Sequence, residues 1–212
     1  MSFWQRALLL FGAIVAVAAC STGPQITRTQ AVAETADTPY RNILVIMLYS
    51  SFDVRRQFEN EVVKQLSAVG TNAVASTSLM DTRTPVKRAT FLAMVEALDA
   101  DAVLVTQVAS LDSNTTKKDV SPQATYNITP TAYYNVWGVE LTEYVEPPKF
   151  GVEASLGLAT QIYSVLAQEA VWAIESKSKI EQEMGRPGYY PFFVDEAKAI
   201  AKHLLGDGLI AR

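Results

Sequence analysis

The chain has 212 residues, of which 49% are hydrophobic and 19% are charged, and it contains one Cys and one His. This length corresponds to one domain with appended segments, and high hydrophobicity with low charge excludes a wholly disordered chain. The formal net charge of −4, without a basic stripe, argues against a nucleic-acid partner. A single Cys and a single His exclude an internal disulfide and a closed Cys/His zinc site. Neither a metal nor a cofactor is therefore predicted.

The amino terminus has the pattern of an export signal. Arg6 precedes an uninterrupted small or apolar run from Ala7 to Cys20. The run has the length of a secretory h-region and is shorter than the ~20 residues that a membrane-spanning helix needs. A polar stretch that contains Pro24 follows it, which favours the end of any helix there.

The apolar run ends in Val17-Ala18-Ala19-Cys20, which resembles the lipobox of bacterial lipoproteins. The resemblance implies cleavage before Cys20, diacylglycerol on its sulfur and a fatty acyl group, such as palmitate, on its new amino group. Ser21 follows the Cys instead of Asp, and in Gram-negative bacteria this implies an outer-membrane lipoprotein that faces the periplasm. Two or more acyl chains give stable anchoring. The alternative is an ordinary secretory signal with Ala16-Val17-Ala18 as its cleavage site.

These features predict three segments. Residues 1–19 are expected to be a lipoprotein signal peptide, and residues 20–40 a lipid-anchored flexible tether. The tether is rich in Thr, Ala, Gln, Ser and Pro without apolar periodicity, and about twenty such residues reach about 25 Å. Residues 41–212 are expected to form a single α/β periplasmic domain.

The first part of the domain predicts a parallel β-α-β-α-β unit. The continuous apolar run Ile43–Tyr49 is typical of a strand covered on both faces. Asp53 is the expected N-cap of the next helix, whose apolar stripe ends at Gly70. The elements expected after it are a strand at Asn72–Ser76, a helix at Val86–Leu98 and a buried strand at Ala102–Val108.

The second part of the domain predicts antiparallel strands and a last helix. Polar residues from Asp112 to Thr125 indicate a mobile loop. The elements expected after it are strands at Tyr133–Leu141, Leu156–Ile162 and Val171–Ile180 and a helix at Phe193–Leu205. The predicted fold class is α/β, a three-layer β-α-β-α-β unit extended by antiparallel strands and a C-terminal helix, with a mixed sheet.

Three short segments carry a family resemblance: Arg56-Gln57-Phe58-Glu59, the strand entry from Asp99 to Val105, and the late segment from Val171 to Ser176. With the lipobox, the chain resembles small Gram-negative outer-membrane lipoproteins of unknown function. It is similar in layout to the superfamily of periplasmic domains that includes the TolB amino-terminal domain, LpoB, PelC and CsgG. The resemblance implies an adaptor or assembly domain without catalytic residues, and it carries over no binding residue.

Several polar residues could in principle bind an anion or take part in catalysis. None of them belongs to a recognisable catalytic or ligand-binding motif. The turn Tyr49–Asp53 lacks the Gly that a phosphate site needs. Arg55 and Arg56 could grip an anion, but a surface pairing with Glu59 at helical spacing is favoured. Ser50 or Ser51 as a nucleophile needs a base, and the lone His203 is better explained by a place near a helix C-terminus.

Two pairs of carboxylates, Glu140 with Glu143 and Asp99 with Asp101, are weighed as acid and base. Both pairs lie at predicted strand ends or turns, where solvated carboxylates are common. No catalytic residue is therefore predicted.

Aromatic residues near Pro provide the candidate partner surface, because Tyr and Trp are enriched at interface hot spots. Core packing is the alternative for about half of them. The residues chosen are Tyr134, Trp137, Tyr144, Tyr189 and Tyr190.

The predicted function is a lipid-anchored binding, assembly or regulatory module of the bacterial envelope. It acts through protein–protein contacts, without catalysis. Its expected partners are the outer membrane and an envelope protein of unknown identity, and homo-oligomerisation as a dimer or ring is left open. The alternatives are a carboxylate-based envelope hydrolase and a small-molecule or lipid-binding domain.

Overall fold

The computed structural model describes residues 23–84, 87–113, 154–180 and 191–211. Within them the chain forms a six-stranded mixed sheet, in the order β1-β6-β5-β4-β2-β3, and three α-helices. The strands are Gln25–Gln30 (β1), Asn42–Leu48 (β2), Asn72–Ala75 (β3), Ala102–Ser113 (β4), Ala154–Ser164 (β5) and Glu169–Ile180 (β6); the helices are Phe52–Ala68 (α1), Arg88–Leu98 (α2) and Phe192–Gly206 (α3). The predicted mixed α/β fold is confirmed. None of the three helices is long and apolar enough to cross a membrane.

Strand β2 lies inside the sheet and is covered on both faces, as predicted. It pairs in parallel with β3 on one side and with β4 on the other. Because side chains alternate along a strand, alternate residues from Ile43 to Met47 pack in the cluster that includes α1 and α3. Those from Leu44 to Leu48 pack with α2 on the opposite face. The three layers follow from this arrangement.

The start of α1 differs from the prediction. Ser51, not Asp53, is the N-cap, and its side chain accepts a hydrogen bond from the Val54 amide at 3.5 Å. Asp53 lies in the first turn, where its carboxylate contacts Arg56 at 2.8 Å on the surface. A Ser and an Asp two residues apart are both good caps, and the end of β2 decides which one occupies the extended position.

The end of α1 agrees with the prediction. Gly70 has φ +90°, and its amide donates to the carbonyl of Ser67 while Thr71 donates to Leu66. This is the pair of bonds of a Schellman motif, with Gly70 at the C′ position. The predicted stripe is also confirmed at Phe58, Val62 and Leu66, which are fully buried.

Strand β4 is longer than predicted. The sequence predicts a mobile loop at Asp112 and Ser113, but these residues pair with Ser155 and Ala154 of β5. A long antiparallel partner can extend a strand into a polar segment, because the ladder satisfies the backbone whatever the side chains are. The rest of the predicted loop and the predicted strand at Tyr133–Leu141 lie outside the described residues.

The predicted tether includes an element that the sequence did not indicate. Gln25–Gln30 forms β1, which pairs antiparallel with β6 at one edge of the sheet. The flexible segment predicted for residues 20–40 is therefore wrong over these six residues. The strand shows no clear alternation of burial, because all of its side chains are exposed or half-buried.

Strand β6 and helix α3 close the fold as predicted. Trp172 and Ile174 are buried while Lys177 and Lys179 are exposed. Helix α3 packs on α1, where the rings of Phe58 and Phe193 lie 5.1 Å apart, edge to face. After α3, the chain pairs once more: the Tyr40 amide donates to the carbonyl of Leu209 at 2.8 Å.

Candidate functional site

The residues predicted to carry function lie outside the part of the chain that the structure describes. These are the lipidation candidate Cys20 and the partner-binding candidates Tyr134, Trp137, Tyr144, Tyr189 and Tyr190. Their roles stay predictions. The described residues offer four other polar features, at the end of the parallel strands, beneath α3, beside Trp172 and between β1 and α3.

The first feature is a buried carboxylate at the carboxyl edge of β2 and β3, where ligands bind in open α/β sheets. Glu59 of α1 is fully buried. Its Oε1 accepts from the Met47 amide at 2.8 Å and from Ser76 Oγ at 2.9 Å. Its Oε2 accepts from the amide and the hydroxyl of Thr77, both at 2.8 Å. Burial raises the pKa of Glu59, and these hydrogen bonds oppose that rise.

Arg55 completes this cluster from the preceding turn of α1. Its Nε donates to the carbonyl of Met47 at 3.0 Å and lies 4.0 Å from Glu59 Oε1. Its Nη2 contacts Ser76 Oγ at 3.4 Å and Met80 Sδ at 3.0 Å. Burial lowers the pKa of Arg55, and the charge of Glu59 opposes that change. The cluster joins α1 to the ends of β2 and β3.

The Arg55–Glu59 geometry corrects a prediction. The expected surface pair is buried, and only Arg56 stays at the surface, paired with Asp53. The sequence spacing did indicate that this pair is buried. Phe58 and Glu59 follow Arg55 by three and four residues, which places all three on one face of the helix. Their burial was not predicted, because Arg and Glu are rarely buried unless they are paired.

Of the residues considered as catalytic, Ser51, Asp99 and Asp101 have structural roles, whereas Glu140 and Glu143 lie outside the described residues. Ser51 caps α1 beside the end of β2, and His203 lies in the last turn of α3, as predicted. Asp101 accepts hydrogen bonds from the amides of Arg41 and Asn42, at 2.7 and 3.0 Å. It therefore fixes the start of β2, and Asp99 ends α2 in the left-handed conformation, with φ +49°.

The second feature is a carboxyl group beneath α3. Glu196 is fully buried, and its Oε1 accepts from Ser178 Oγ of β6 at 2.6 Å. Its Oε2 has no hydrogen-bond partner among the described residues. Burial raises the pKa of Glu196, hydrogen bonds with Ser178 and Ser176 oppose this rise, and the nearby charge of Asp195 adds to it. No sequence pattern separated Glu196 from the exposed acids.

The third feature ties the end of α3 to the sheet. Trp172 is fully buried, and its indole Nε1 donates to Asp207 Oδ2 at 2.7 Å. Arg28 of β1 donates to the other oxygen of the same carboxylate. Asp207 thus connects β1, β6 and the turn after α3.

The fourth feature is the β1–α3 cavity, an open depression of about 240 Å³ between the start of β1 and helix α3. Lys198, Lys202 and His203 of α3 lie on its wall together with Asp195, which contacts Lys198 at 3.8 Å. Its other lining residues are Gly23, Pro24, Ile26 and Ala199. Within the described ranges, this cavity included, no group of three or more His, Cys, Asp or Glu side chains could hold a metal ion.

Comparisons with known proteins find only distant structural similarity. No family model and no curated protein matches the chain. A single-residue variant of PelC from Paraburkholderia phytofirmans, solved as a dodecamer, is similar with a TM-score of 0.45 and 15% identity, over 89% of this chain and 99% of that one. A second crystal form of the PelC dodecamer gives 0.44 and 17%, over 89% and 99%.

A DUF4136 family protein from Bacteroides thetaiotaomicron is similar with a TM-score of 0.39 and 11% identity, over 90% of this chain and 99% of that one. Likeness of this degree establishes neither a shared function nor a shared assembly.

Proposed function

We propose that the chain is a lipid-anchored periplasmic module of the bacterial outer membrane that binds or assembles envelope proteins and catalyses no reaction. The observation that carries the proposal is the sequence Val17-Ala18-Ala19-Cys20, with the only Cys of the chain at the position of lipidation. Two or three acyl chains on that residue hold a protein stably at a bilayer.

The short connection to the domain supports a role close to the membrane. Residues 21–24 are all that separates Cys20 from β1. Fully extended, five steps along the chain span at most about 17 Å. The domain therefore works next to the headgroups, and not at the end of a tether of about 25 Å.

The polar clusters support a non-catalytic role. Both oxygens of Glu59 are bound by backbone and hydroxyl donors, and both oxygens of Asp101 are bound by amides. A general acid or base needs a carboxyl group that can reach a substrate. These groups are instead occupied in holding elements together.

The anchor is tested with Cys20→Ser expressed as the full chain in a Gram-negative host. We expect the wild-type chain in the outer-membrane fraction, with the mass of a triacylated amino terminus. The variant should be soluble in the periplasm or unprocessed. A bare thiol at Cys20 in the purified wild-type chain would overturn the anchor.

The partner role is tested by affinity capture from solubilised envelopes, followed by mass spectrometry. Tyr134→Ala and Tyr189→Ala should reduce recovery of a co-purified envelope protein. Leu166→Ala is the matched control, because Leu166 is 77% exposed in the turn between β5 and β6. Equal recovery with all three variants would show that Tyr134 and Tyr189 do not contribute to the interface.

A carboxylate-based hydrolase and a small-molecule or lipid-binding domain are the alternatives. Glu59 and Glu196 both have a raised pKa, yet neither lines the β1–α3 cavity. That cavity, at about 240 Å³, is smaller than the ~300 Å³ at which typical ligand pockets begin. Hydrolysis of an envelope substrate that Glu196→Gln abolishes would favour the hydrolase.

A further inference from the structure

The β1–α3 cavity has a cationic wall on one face of α3. Lys198 and Lys202 are four residues apart and His203 follows directly, so the three side chains project from neighbouring positions of the helix. Lys202 is exposed and has no ion-pair partner among the described residues. Asp195 is the single acid of the lining, and its exposed pair with Lys198 is of a kind that contributes little.

The opposite wall of the cavity is the beginning of the described chain. Gly23, Pro24 and Ile26 form it, and Gly23 follows Cys20 after only two residues. Three steps along the chain span at most about 11 Å. If Cys20 carries acyl chains, as proposed above, the cavity is held at the depth of the lipid headgroups.

We propose that the β1–α3 cavity binds the phosphate of an anionic phospholipid headgroup, with Lys198 and Lys202 as the charged ligands and His203 as a hydrogen-bond donor. The inference rests on the proposed anchor, which supplies the high local concentration of headgroups. At about 240 Å³, the open cavity is proposed to receive the phosphate group alone, while the rest of the lipid stays in the bilayer. Binding of this kind fixes which side of the domain faces the membrane and leaves the rest of the surface to partners.

The test uses the chain from residue 20 onward carrying Cys20→Ser, so that neither lipidation nor the predicted signal peptide contributes to membrane binding. Flotation with vesicles of pure phosphatidylcholine is compared with flotation on vesicles that also contain phosphatidylglycerol. We expect binding to the anionic vesicles alone, and we expect it to weaken as ionic strength rises. Each lysine near an anionic surface contributes roughly fivefold to partitioning, so Lys198→Gln with Lys202→Gln should lower it roughly 25-fold.

Lys64→Gln with Lys87→Gln is the matched double control, and Lys87 is exposed before α2, outside the cavity. Lys64 is 68% exposed on α1 and carries the same charge, but it lies outside the cavity. Equal flotation of this control and the double variant would overturn the site, as would equal binding to both kinds of vesicle.

Titration with inorganic phosphate at constant ionic strength distinguishes a membrane site from a site for the free ion. Displacement at micromolar phosphate would overturn the headgroup assignment in favour of free phosphate. Failure of any of these assays leaves the anchor itself intact, because the mass of the wild-type amino terminus tests the anchor separately.

Discussion

Two buried carboxyl groups of this protein have contrasting surroundings. Glu59 has donors on both oxygens, and they bind it to the end of β2 and to the segment that follows β3. Glu196 accepts from Ser178 on one oxygen, while its other oxygen has no partner by hydrogen-bond geometry within the described ranges. An unsatisfied buried oxygen costs more in free energy when it is charged than when it is neutral. Glu196 is therefore a residue at which the stability of the fold should depend on pH.

The raised pKa of Glu196 fixes the sign of that response. The folded chain holds this proton more tightly than the unfolded chain, so the contribution of Glu196 to stability is complete below its ordinary pKa. It is lost as pH rises through the raised pKa of the folded state. At neutral pH the group must either retain its proton or stay charged in the core, and both are unfavourable.

Glu196→Gln should accordingly stabilise the protein at neutral pH. The neutral amide can still accept from Ser178, and it removes the buried charge. Urea unfolding should give a higher midpoint for the variant at pH 7.5, with a difference that shrinks as pH falls towards 4. Glu96→Gln on the exposed side of α2 is the control and should show no such trend. A variant that is less stable at pH 7.5 would contradict the expectation.

Among the elements, α1 shows how local sequence fixes a helix and its ends. Its apolar stripe meets β2 and α3, Ser51 caps its start and Gly70 ends it in a conformation with φ +90°. A side chain at that φ costs about 1–2 kcal/mol, because its Cβ approaches backbone oxygen. The turn also sets the entry of β3, since Thr71 bonds back to Leu66.

Gly70→Ala should lower the free energy of unfolding by about 1–2 kcal/mol. Gly206→Ala, at the end of α3, is the matched control, because an added Cβ there meets nothing within 4 Å and its φ is not positive. The control should stay within about 0.5 kcal/mol of wild type. Denaturant unfolding of both variants measures the difference, and equal stability of the two would show that the left-handed turn is not required.

At the scale of the whole molecule, the edge strand β1 follows almost directly after the proposed anchor. It pairs with β6 from Gln25 to Gln30, and the chain continues alongside β6, where the Ala33 amide donates to Val171 at 2.8 Å. Arg28 also reaches Asp207 at the end of α3. Any force on the amino terminus therefore acts directly on the sheet.

Deletion of Gln25–Gln30 should destabilise the domain, whereas a change of tether length should not. Several backbone hydrogen bonds at about 0.5–1.5 kcal/mol each would be lost, so a decrease of about 3 kcal/mol in the free energy of unfolding is expected. The control inserts six Gly and Ser residues between Ser21 and Thr22 and should unfold like wild type. Equal stability of the deletion and the insertion variants would show that residues 25–30 do not stabilise the domain and act as part of a tether.

The sequence by itself determined the elements whose patterns are local. The continuous apolar run of β2, the stripe of α1 ending at Gly70, the entry of β4 and the alternation of β6 each report which face is buried. The mixed α/β order of the domain follows from them. The lipobox at Cys20 is equally local, and it is the part of the candidate function that sequence alone provides.

Only the tertiary structure decided the features that depend on distant partners. Strand β1 exists because β6 lies beside it, and Gln30 bonds to Ala170 across a sequence separation of 140. Arg55 and Glu59 are buried because the ends of β2 and β3 supply their hydrogen bonds. Lys202 and Gly23 line one cavity because the fold places α3 near the start of β1. Periodicity records how a segment divides its own side chains between inside and outside. It contains no information about which remote backbone or charge will be brought against them.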